Sequence, residues 1–577
     1  MSFRPFLPAP VAPWLHAAAI FMVGSAPWTM THAQDRLKEM QAANIANAKE
    51  KAERPYHFGS QGAGNVFSNH TSHSNRLIPF YTFGKKVSID AVTGANSRYR
   101  DSAKLQALYG FSPENTLNPD AEYADQSDLY QVQRDAVARG VKHLFIVWFD
   151  GMDWVTTQAA AVAKSGKVYT EGKGEGLNFQ ADPTGGTAKF GFYVTSPTHD
   201  KNTTNVDEQT VQIPPDSLTG GYDVRIAGPN PWTLGPLGPK APGYFKGQGA
   251  SNSDRKGVED VGAILHAYTD SSTSAAEFAS GVKAYNSGVN VGDDGRFIPT
   301  LFHQLQADGW KLGTATSVPF DHASPSAMYA HNVDRDDYQD LARDMLGLSS
   351  ICQQTHKDKI HPGLDVVLGT GFGQEMNAKS TLAQGKDAVS GNIYIADADK
   401  AAIDVKNGGK YVVAQTTPGV EGGKALIAAA ETAKANGKRL FGLYGSAKLG
   451  HLPYRTADGK FDPAPDGNGR AEVYTAAEVA EQPTLADMTK AALTVLTADP
   501  KKPFALFVES GDVDYALHSN NLDNAVGAVY SGEAAIQVIV DWVEKNSNWD
   551  ESAMIVTADH GHYLVIDDLK AIAGAAR

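Results

Sequence analysis

The stretch HLFIVWFDGMDW, residues 143–154, decides how this chain folds. Its apolar run from Leu144 to Phe149 shows no alternation with polar residues and stops at Asp150-Gly151. A short run of this kind reads as a strand buried on both faces, the habit of parallel sheets covered by helices. The pattern recurs twice: FALFV leads into Glu509 within FALFVESGDVDYALH (504–518), and AMIVTA leads into Asp559 within AMIVTADHGH (553–562). Side chains at such strand ends emerge together along the C-terminal edge of one sheet, where open α/β folds hold ligands. Carboxylates gathered there repel one another unless cations neutralise them, so the three blocks imply bound metal.

Outward from these blocks, strand and helix patterns alternate. RLIPFYTF (76–83) and segments 312–317, 365–369, 411–415 and 439–444 read as further strands, with helices at 99–108, 129–139, 485–497 and 533–545. The alternation predicts an α/β three-layer sandwich, a central and mostly parallel sheet covered by helices on both faces. Residues 165–260, rich in Gly, Pro, Asn and aromatics (GPNPWTLGPLGPKAPGYF), read as an insertion of loops and short strands rather than a core element. Residues 34–56 read as a polar, alanine-rich helix peripheral to the fold, and 57–577 as a single domain.

The 577 residues are 42% hydrophobic and 20% charged, which suits a large buried core and excludes a disordered chain. A net charge of -14 argues against a nucleic-acid partner. No apolar run beyond the N-terminus reaches membrane-spanning length. Residues 1–33 combine Arg4, the apolar segment 17–23 and the small-residue signature Thr31-His32-Ala33, so a signal peptide and export, periplasmic or extracellular, are expected. The single cysteine, Cys352, rules out an internal disulfide and leaves the compartment undecided on redox grounds.

A nucleophile candidate lies in AYTDSSTSAAEFASGVKAYN (267–286). Ser271 follows Thr269-Asp270 at the start of a helical-looking, small-residue segment, where backbone N–H groups and the helix dipole favour an anion. Alone, Asp-Ser-Ser-Thr-Ser is an ordinary helix cap. Asp150-Gly151-Met152 alone is a strand-end turn, Asp559-His560 a surface loop, Arg335 a solvated ion-pair residue and Ser324 a turn residue before Pro325. The weight lies in their joint occurrence.

Taken in order, DGM (150–152), TDSSTSAAEFASGVKAYN, HASPSAMYAHNVDR (322–335), VVLGTGFG (366–373), PTLADMTKAAL (483–493), VES with DxxxxH, and TADHGH resemble the alkaline phosphatases over residues 140–577. The resemblance implies a phosphomonoester hydrolase that works through a phosphoserine on Ser271, with two Zn2+ and one Mg2+. By matching positions, Asp150 would bridge the second zinc and the magnesium, Asp559 and His560 would complete that zinc, and Ser324 and Glu509 would complete the magnesium shell. Asp514 and His518 would bind the first zinc, Arg335 would clamp the phosphate, and His322, His562 and Asp270 would support the ligands. Tyr515 stands beside Asp514 where members vary.

One ligand departs from the family pattern. The first zinc needs a third protein ligand, normally a histidine well downstream, and no histidine follows His562. The family's last ligand precedes a strand in a pattern like H-T-x-x-x-V-P-V-x-A-x-G. In SNHTSHSNRLIPFYTFG (68–84), His73 has Pro79 and Gly84 in register with it. A circular permutation is therefore expected, with 57–110 supplying the family's C-terminal strand and helix and His73 completing the zinc; His70 is the competing residue. The other reading makes SNHTSHSN a polar loop and leaves that position to water or His562.

Alternative activities on the same metal core are a phosphodiesterase or nucleotide pyrophosphatase; the sulfatase context C/S-x-P-x-R is missing from SSTSA (271–275). A noncatalytic surface-binding member of the fold is the alternative from another class. Expected partners are small phosphorylated substrates and a second copy in a homodimer, with no nucleic acid and no membrane span.

Overall fold

The runs ahead of Asp150, Glu509 and Asp559 lie side by side in one sheet. The computed structural model describes residues 36–49, 73–233, 266–356, 361–466, 470–562, 564–566 and 568–573. In chain order the sheet strands are β1 (Ile78–Phe83), β2 (Ala124–Asp125), β3 (His143–Phe149), β4 (Lys189–Val194), β5 (Lys311–Pro319), β6 (Val366–Thr370), β7 (Tyr411–Gln415), β8 (Arg439–Leu443), β9 (Phe504–Ser510) and β10 (Ser552–Thr557). Across the sheet they run β7-β8-β6-β5-β9-β3-β10-β1-β4-β2. Every pair from β7 to β10 is parallel. β1 is antiparallel to both β10 and β4, and β2 is parallel to β4.

Helices flank this sheet, which accounts for the unbroken apolar runs: Leu144 to Phe149 and Phe504 to Val508 are buried on both faces. Leu485–Leu496 packs on β5, β6 and β9, and Leu522–Asn546 on β3 and β9. A second group joins Asp128–Ala138, Ser271–Ser280 and Ala323–Ala327. The architecture is the α/β sandwich that the alternation predicts.

Three expectations are corrected. The N-terminal helix Arg36–Lys49 is not peripheral: Leu37 and Met40 are 1% and 2% exposed. Its Gln41 side chain donates to the Pro465 carbonyl at 2.6 Å and accepts from Leu522 N at 3.0 Å, at the start of the long helix. A stripe too narrow to stand out in an alanine-rich segment suffices to seat it. The insertion also reaches the core, because KFGFYV (189–194) pairs with β1 as β4 and Phe179 packs edge-on against Tyr81 at 5.1 Å. The helix expected at 533–545 begins at Leu522. Gly527 and Gly532 disguise its first turns; a Cβ on Gly527 would lie 2.3 Å from the Arg455 carbonyl oxygen, so close packing rather than helix propensity requires glycine there.

The helix expected at 99–108 is Ser102–Tyr109, preceded by a short 3-10 turn and capped by Asp101, which accepts from Ala103 N and Lys104 N. The leader at 1–33 and His70 lie outside the described residues. Among the described residues no helix is long and apolar enough to cross a membrane.

Candidate metal centre

Parallel neighbours end on one edge, and that edge carries the carboxylates. Glu509 is in register with Trp148, as is Thr557 from the other side, so Glu509, Asp150 and Asp559 emerge together from β9, β3 and β10. Gly151 makes the turn after Asp150 with φ 71°, and its N–H donates to Asp559 Oδ1 at 2.8 Å. A Cβ there would fall 2.7 Å from His562 Nε2, so glycine is required both by conformation and by space. β1 runs the opposite way, which delivers its N-terminal end to the same edge. His73 reaches the cluster by that route, paired with His562 across a two-residue antiparallel ladder.

Helix Ser271–Ser280 points its N-terminus at this edge. Ser271 Oγ lies 3.2 Å from His560 Nε2 and 3.4 Å from Asp150 Oδ1. Ser274 Oγ donates to the Asp559 carbonyl at 2.7 Å, which fixes the helix to the strand end. Asp270 caps the helix by accepting from Thr273 N at 3.1 Å, and the same carboxylate holds Arg335 Nη1 at 3.0 Å. Burial opposes the Asp270 charge, but Arg335 and the hydroxyl and amide donors outweigh it and bring its pKa to about 2. The guanidinium also lies 3.4 Å from His322 Nε2.

Two ligand groups meet here. One comprises Asp150, Asp559 and His560; the other comprises His73, Asp514, His560 and His562, and in each group the donor atoms lie within 4.8 Å of one another. His518 adjoins the second group, with Nε2 3.2 Å from Asp514 Oδ1 and 3.4 Å from His73 Nε2. The His73 ring stacks on His560 at 3.6 Å, and its Nδ1 donates to the Thr269 carbonyl at 2.9 Å, leaving the Nε2 lone pair facing the carboxylate. Such a carbonyl behind the ring is how metal-ligating histidines are held.

The charges show why cations belong here. Burial, then the Asp559 and Asp514 charges, push Asp150 well above the carboxylate range. Burial drives Glu509 up to about 8 against the hydrogen bond from the Thr316 hydroxyl, and it raises Asp559 as well. Burial works against Asp514 too, yet the His518 and His562 imidazoles hold it well below its usual range. Burial and neighbouring imidazoles keep His73 neutral, and burial takes His560 down to about 3, so both retain lone pairs. Glu509 Oε1, Ser324 Oγ, Asp559 Oδ2 and His322 Nδ1 are buried with no hydrogen-bond partner. Unmet oxygens beside mutually repelling carboxylates fit a cation shell. The imidazole-rich group of His73, Asp514, His560 and His562 suits zinc, the mixed group of two carboxylates and one imidazole fits zinc's oxygen and nitrogen ligands as well, and the oxygen set of Asp150, Ser324 and Glu509 suits magnesium.

Every site residue expected from the sequence, His70 apart, falls on this edge or on the segments that border it. Sequence reading passed over Asp512, His451 and Glu472. His451 Nε2 donates to Glu472 Oε1 at 2.9 Å, Nδ1 donates to the Leu452 carbonyl at 2.9 Å, and Nδ1 lies 3.3 Å from Asp512 Oδ1. Asp512 opens the helix Asp512–His518 that carries Asp514 and His518, so this bracket braces two ligands from behind. An acid two residues before Asp514 was the signal present; its partner lies 61 residues away in a loop and gave none.

The class the fold and site define is an α/β sandwich in which a serine at a helix N-terminus faces buried carboxylates and imidazoles at the C-terminal edge of the parallel strands. The chain belongs to the alkaline phosphatase family, whose model matches residues 253–573. Alkaline phosphatase of Escherichia coli (strain K12) is 26% identical over 337 residues, covering 52% of this chain and 60% of that protein. Alkaline phosphatase 4 of Drosophila melanogaster is 26% identical over 321 residues, covering 54% of this chain and 48% of that protein. Streptomycin-6-phosphate phosphatase of Streptomyces griseus is 26% identical over 307 residues, covering 51% and 61%. The chain thus spans about half to three fifths of the length of these relatives. The crystal structure of Thermus thermophilus alkaline phosphatase aligns over 74% of this chain and 60% of that one, with TM-score 0.40 and 20% identity. His73 and Asp150 both lie outside the matched segment 253–573.

Proposed function

We propose that this protein is a metal-dependent phosphomonoester hydrolase that works through a phosphoserine on Ser271. The observation that carries the reading is the Ser271 hydroxyl at a helix N-terminus, 3.2 Å from His560 and 3.4 Å from Asp150, next to an Arg335 braced by Asp270. Asp150, Asp559 and His560 would hold one Zn2+, Asp514, His518 and His73 a second, and Asp150, Ser324 and Glu509 a Mg2+. When bound, such cations supply Lewis-acid charge that lowers the pKa of a neighbouring hydroxyl and neutralises phosphoryl oxygens.

The residues divide the remaining work. Ser271, as its alkoxide, attacks phosphorus in line and expels the alcohol of the ester; water then breaks the serine–phosphorus bond and inorganic phosphate leaves. The N-terminal amides of Ser271–Ser280 favour the anion on that oxygen. Arg335 offers a planar pair of N–H donors to two phosphoryl oxygens, and its salt bridge to Asp270 fixes the plane before substrate arrives. His322, taken down to about 3 by burial and by Arg335, meets the guanidinium as a neutral ring and adds no competing charge.

We further read residues 57–110, of which 57–72 lie outside the described residues, as the family's C-terminal strand and helix placed ahead of β3, a circular permutation. Its support is β1 lying antiparallel on β10 and His73 arriving beside Asp514 and His518.

The test is to assay the purified chain on p-nitrophenyl phosphate and on bis-p-nitrophenyl phosphate, before and after chelation, with Zn2+ and Mg2+ restored. Monoester turnover that disappears on chelation and returns with the metals is expected. Equal or faster diester turnover, or activity untouched by chelation, would overturn the assignment.

A further inference from the structure

Tyr515 directly follows the ligand Asp514 and has no part in the chemistry described above. Its ring stands edge-on to His322 at 5.9 Å and 89°, and His322 Nε2 lies 3.4 Å from Arg335 Nη2, so the ring borders the guanidinium that would clamp the phosphate. Tyr338 opens the helix Tyr338–Leu346 just after Arg335, and its ring meets Tyr394 edge-on at 5.0 Å and 70°. We propose that Tyr515, Tyr338 and Tyr394 form an aromatic wall that binds the alcohol part of the ester, selecting phosphomonoesters whose alcohol carries a flat aromatic ring, as nucleoside monophosphates do. The wall rests on the phosphatase reading and adds its substrate class.

Topology puts the rings on one stretch of the metal-bearing edge. β6, β5 and β9 are consecutive in the sheet, and His322 and Tyr515 stand beyond the C-terminal ends of β5 and β9. Tyr394 is held to the end of β6 by Gly371, where φ is 115° and a Cβ would fall 2.7 Å from Tyr394 Cδ2. Asn392 secures that loop, its Nδ2 donating to the Gly371 carbonyl at 2.7 Å and its Oδ1 accepting from Tyr394 N at 2.9 Å. Tyr338 Oη donates to Asp336 Oδ1 at 3.2 Å, which sets the third ring. With neighbouring strands about 4.8 Å apart, the ends of β6 and β9 are separated by roughly 10 Å, a span that a nucleoside covers.

In-line attack fixes the side on which the alcohol lies. It departs from the face of phosphorus opposite Ser271, and Ser271 is held against His560 and Asp150. That leaves the turn carrying Asp514 and His518, and with it Tyr515, to border the departing group. Core packing does not account for the rings: Tyr411 and Tyr444 are fully buried under helices, whereas Tyr338, Tyr394 and Tyr515 are each half-buried beside the clamp. Burial, then the Tyr394 and Tyr338 hydroxyls, raise the pKa of Tyr515 well above its usual value, so the rings share one space and present no charge to the phosphate. Aromatic rings held edge-on to their neighbours keep their faces for another ring, and they order little on binding because few torsions move.

The experiment compares kcat/KM for adenosine 5′-monophosphate and ribose 5-phosphate on the full-length protein loaded with Zn2+ and Mg2+. Both esters lose a primary 5′ alkoxide and differ in the base, so their ratio reads the wall and general damage to the centre cancels. Wild type should favour the nucleotide about tenfold or more, Tyr515→Phe should keep that ratio, and Tyr515→Leu and Tyr394→Leu should each bring it toward one. A wild-type ratio near one, or a ratio unmoved in both leucine variants, overturns the wall and leaves the phosphatase reading standing. Wild-type protein that releases phosphate from neither ester overturns the phosphatase reading, and the wall with it.

Discussion

Ser271 and His73 test the centre at the level of single atoms. Ser271 Oγ faces the His560 and Asp150 side chains, so Ser271→Ala should fold and keep its metals while monoester turnover falls about a thousandfold or more, checked by steady-state kinetics beside a metal count. His73 opens its two-residue strand with Nε2 3.9 Å from Asp514 Oδ1 and 3.4 Å from His518 Nε2. His73→Ala should therefore release one zinc on dialysis and lose turnover that excess zinc partly restores; unchanged zinc content and activity would remove His73 from the ligands and with it the functional part of the permutation. Each ligand type was legible from its block, since Asp150, Glu509 and Asp559 follow apolar runs. What no residue could announce alone was company: Arg335 meets Asp270 across 65 positions and His73 meets His518 across 445.

Elements hold these atoms in place, and two joints between elements are open to measurement. His451 ties the loop around Leu452 to the start of Asp512–His518. Burial would lower its pKa, but Glu472 and Asp512 outweigh burial and raise it to about 9. A histidine whose folded pKa lies above its unfolded value stabilises fully below about 6.5 and loses that stabilisation as pH rises through about 9; the shift corresponds to about 3 kcal/mol. The wild type should accordingly lose stability between those limits, and His451→Gln should flatten that slope in thermal melts. Gly527 is the second joint, where helix Leu522–Asn546 passes against the Arg455 backbone. Gly527→Ala should destabilise by about 1–3 kcal/mol in urea unfolding although alanine is the better helix former. The strands β3, β9 and β10 were legible because burial on both faces erases alternation. β4 was not, because its segment looked like insertion, and the start of the long helix was not, because glycines demanded by its neighbours imitate a loop.

The assembled molecule gathers carboxylates that repel one another without cations, since burial and mutual charge push Asp150 well above its usual range. Chelation should lower the melting temperature by roughly 5 °C or more at neutral pH, with recovery on adding Zn2+ and Mg2+; an unchanged melt would mean the centre binds no structural cation. By itself the sequence determined the class of fold and the chemistry of the edge, because unbroken apolar runs, strand-end acids and a serine after Thr-Asp are local patterns written in consecutive residues. Only the tertiary structure decided that β1 turns against its neighbours, brings His73 from the front of the chain to that edge and pairs it with His562. Strand direction and order are settled by which faces the helices leave to be covered, and that competition has no local signature.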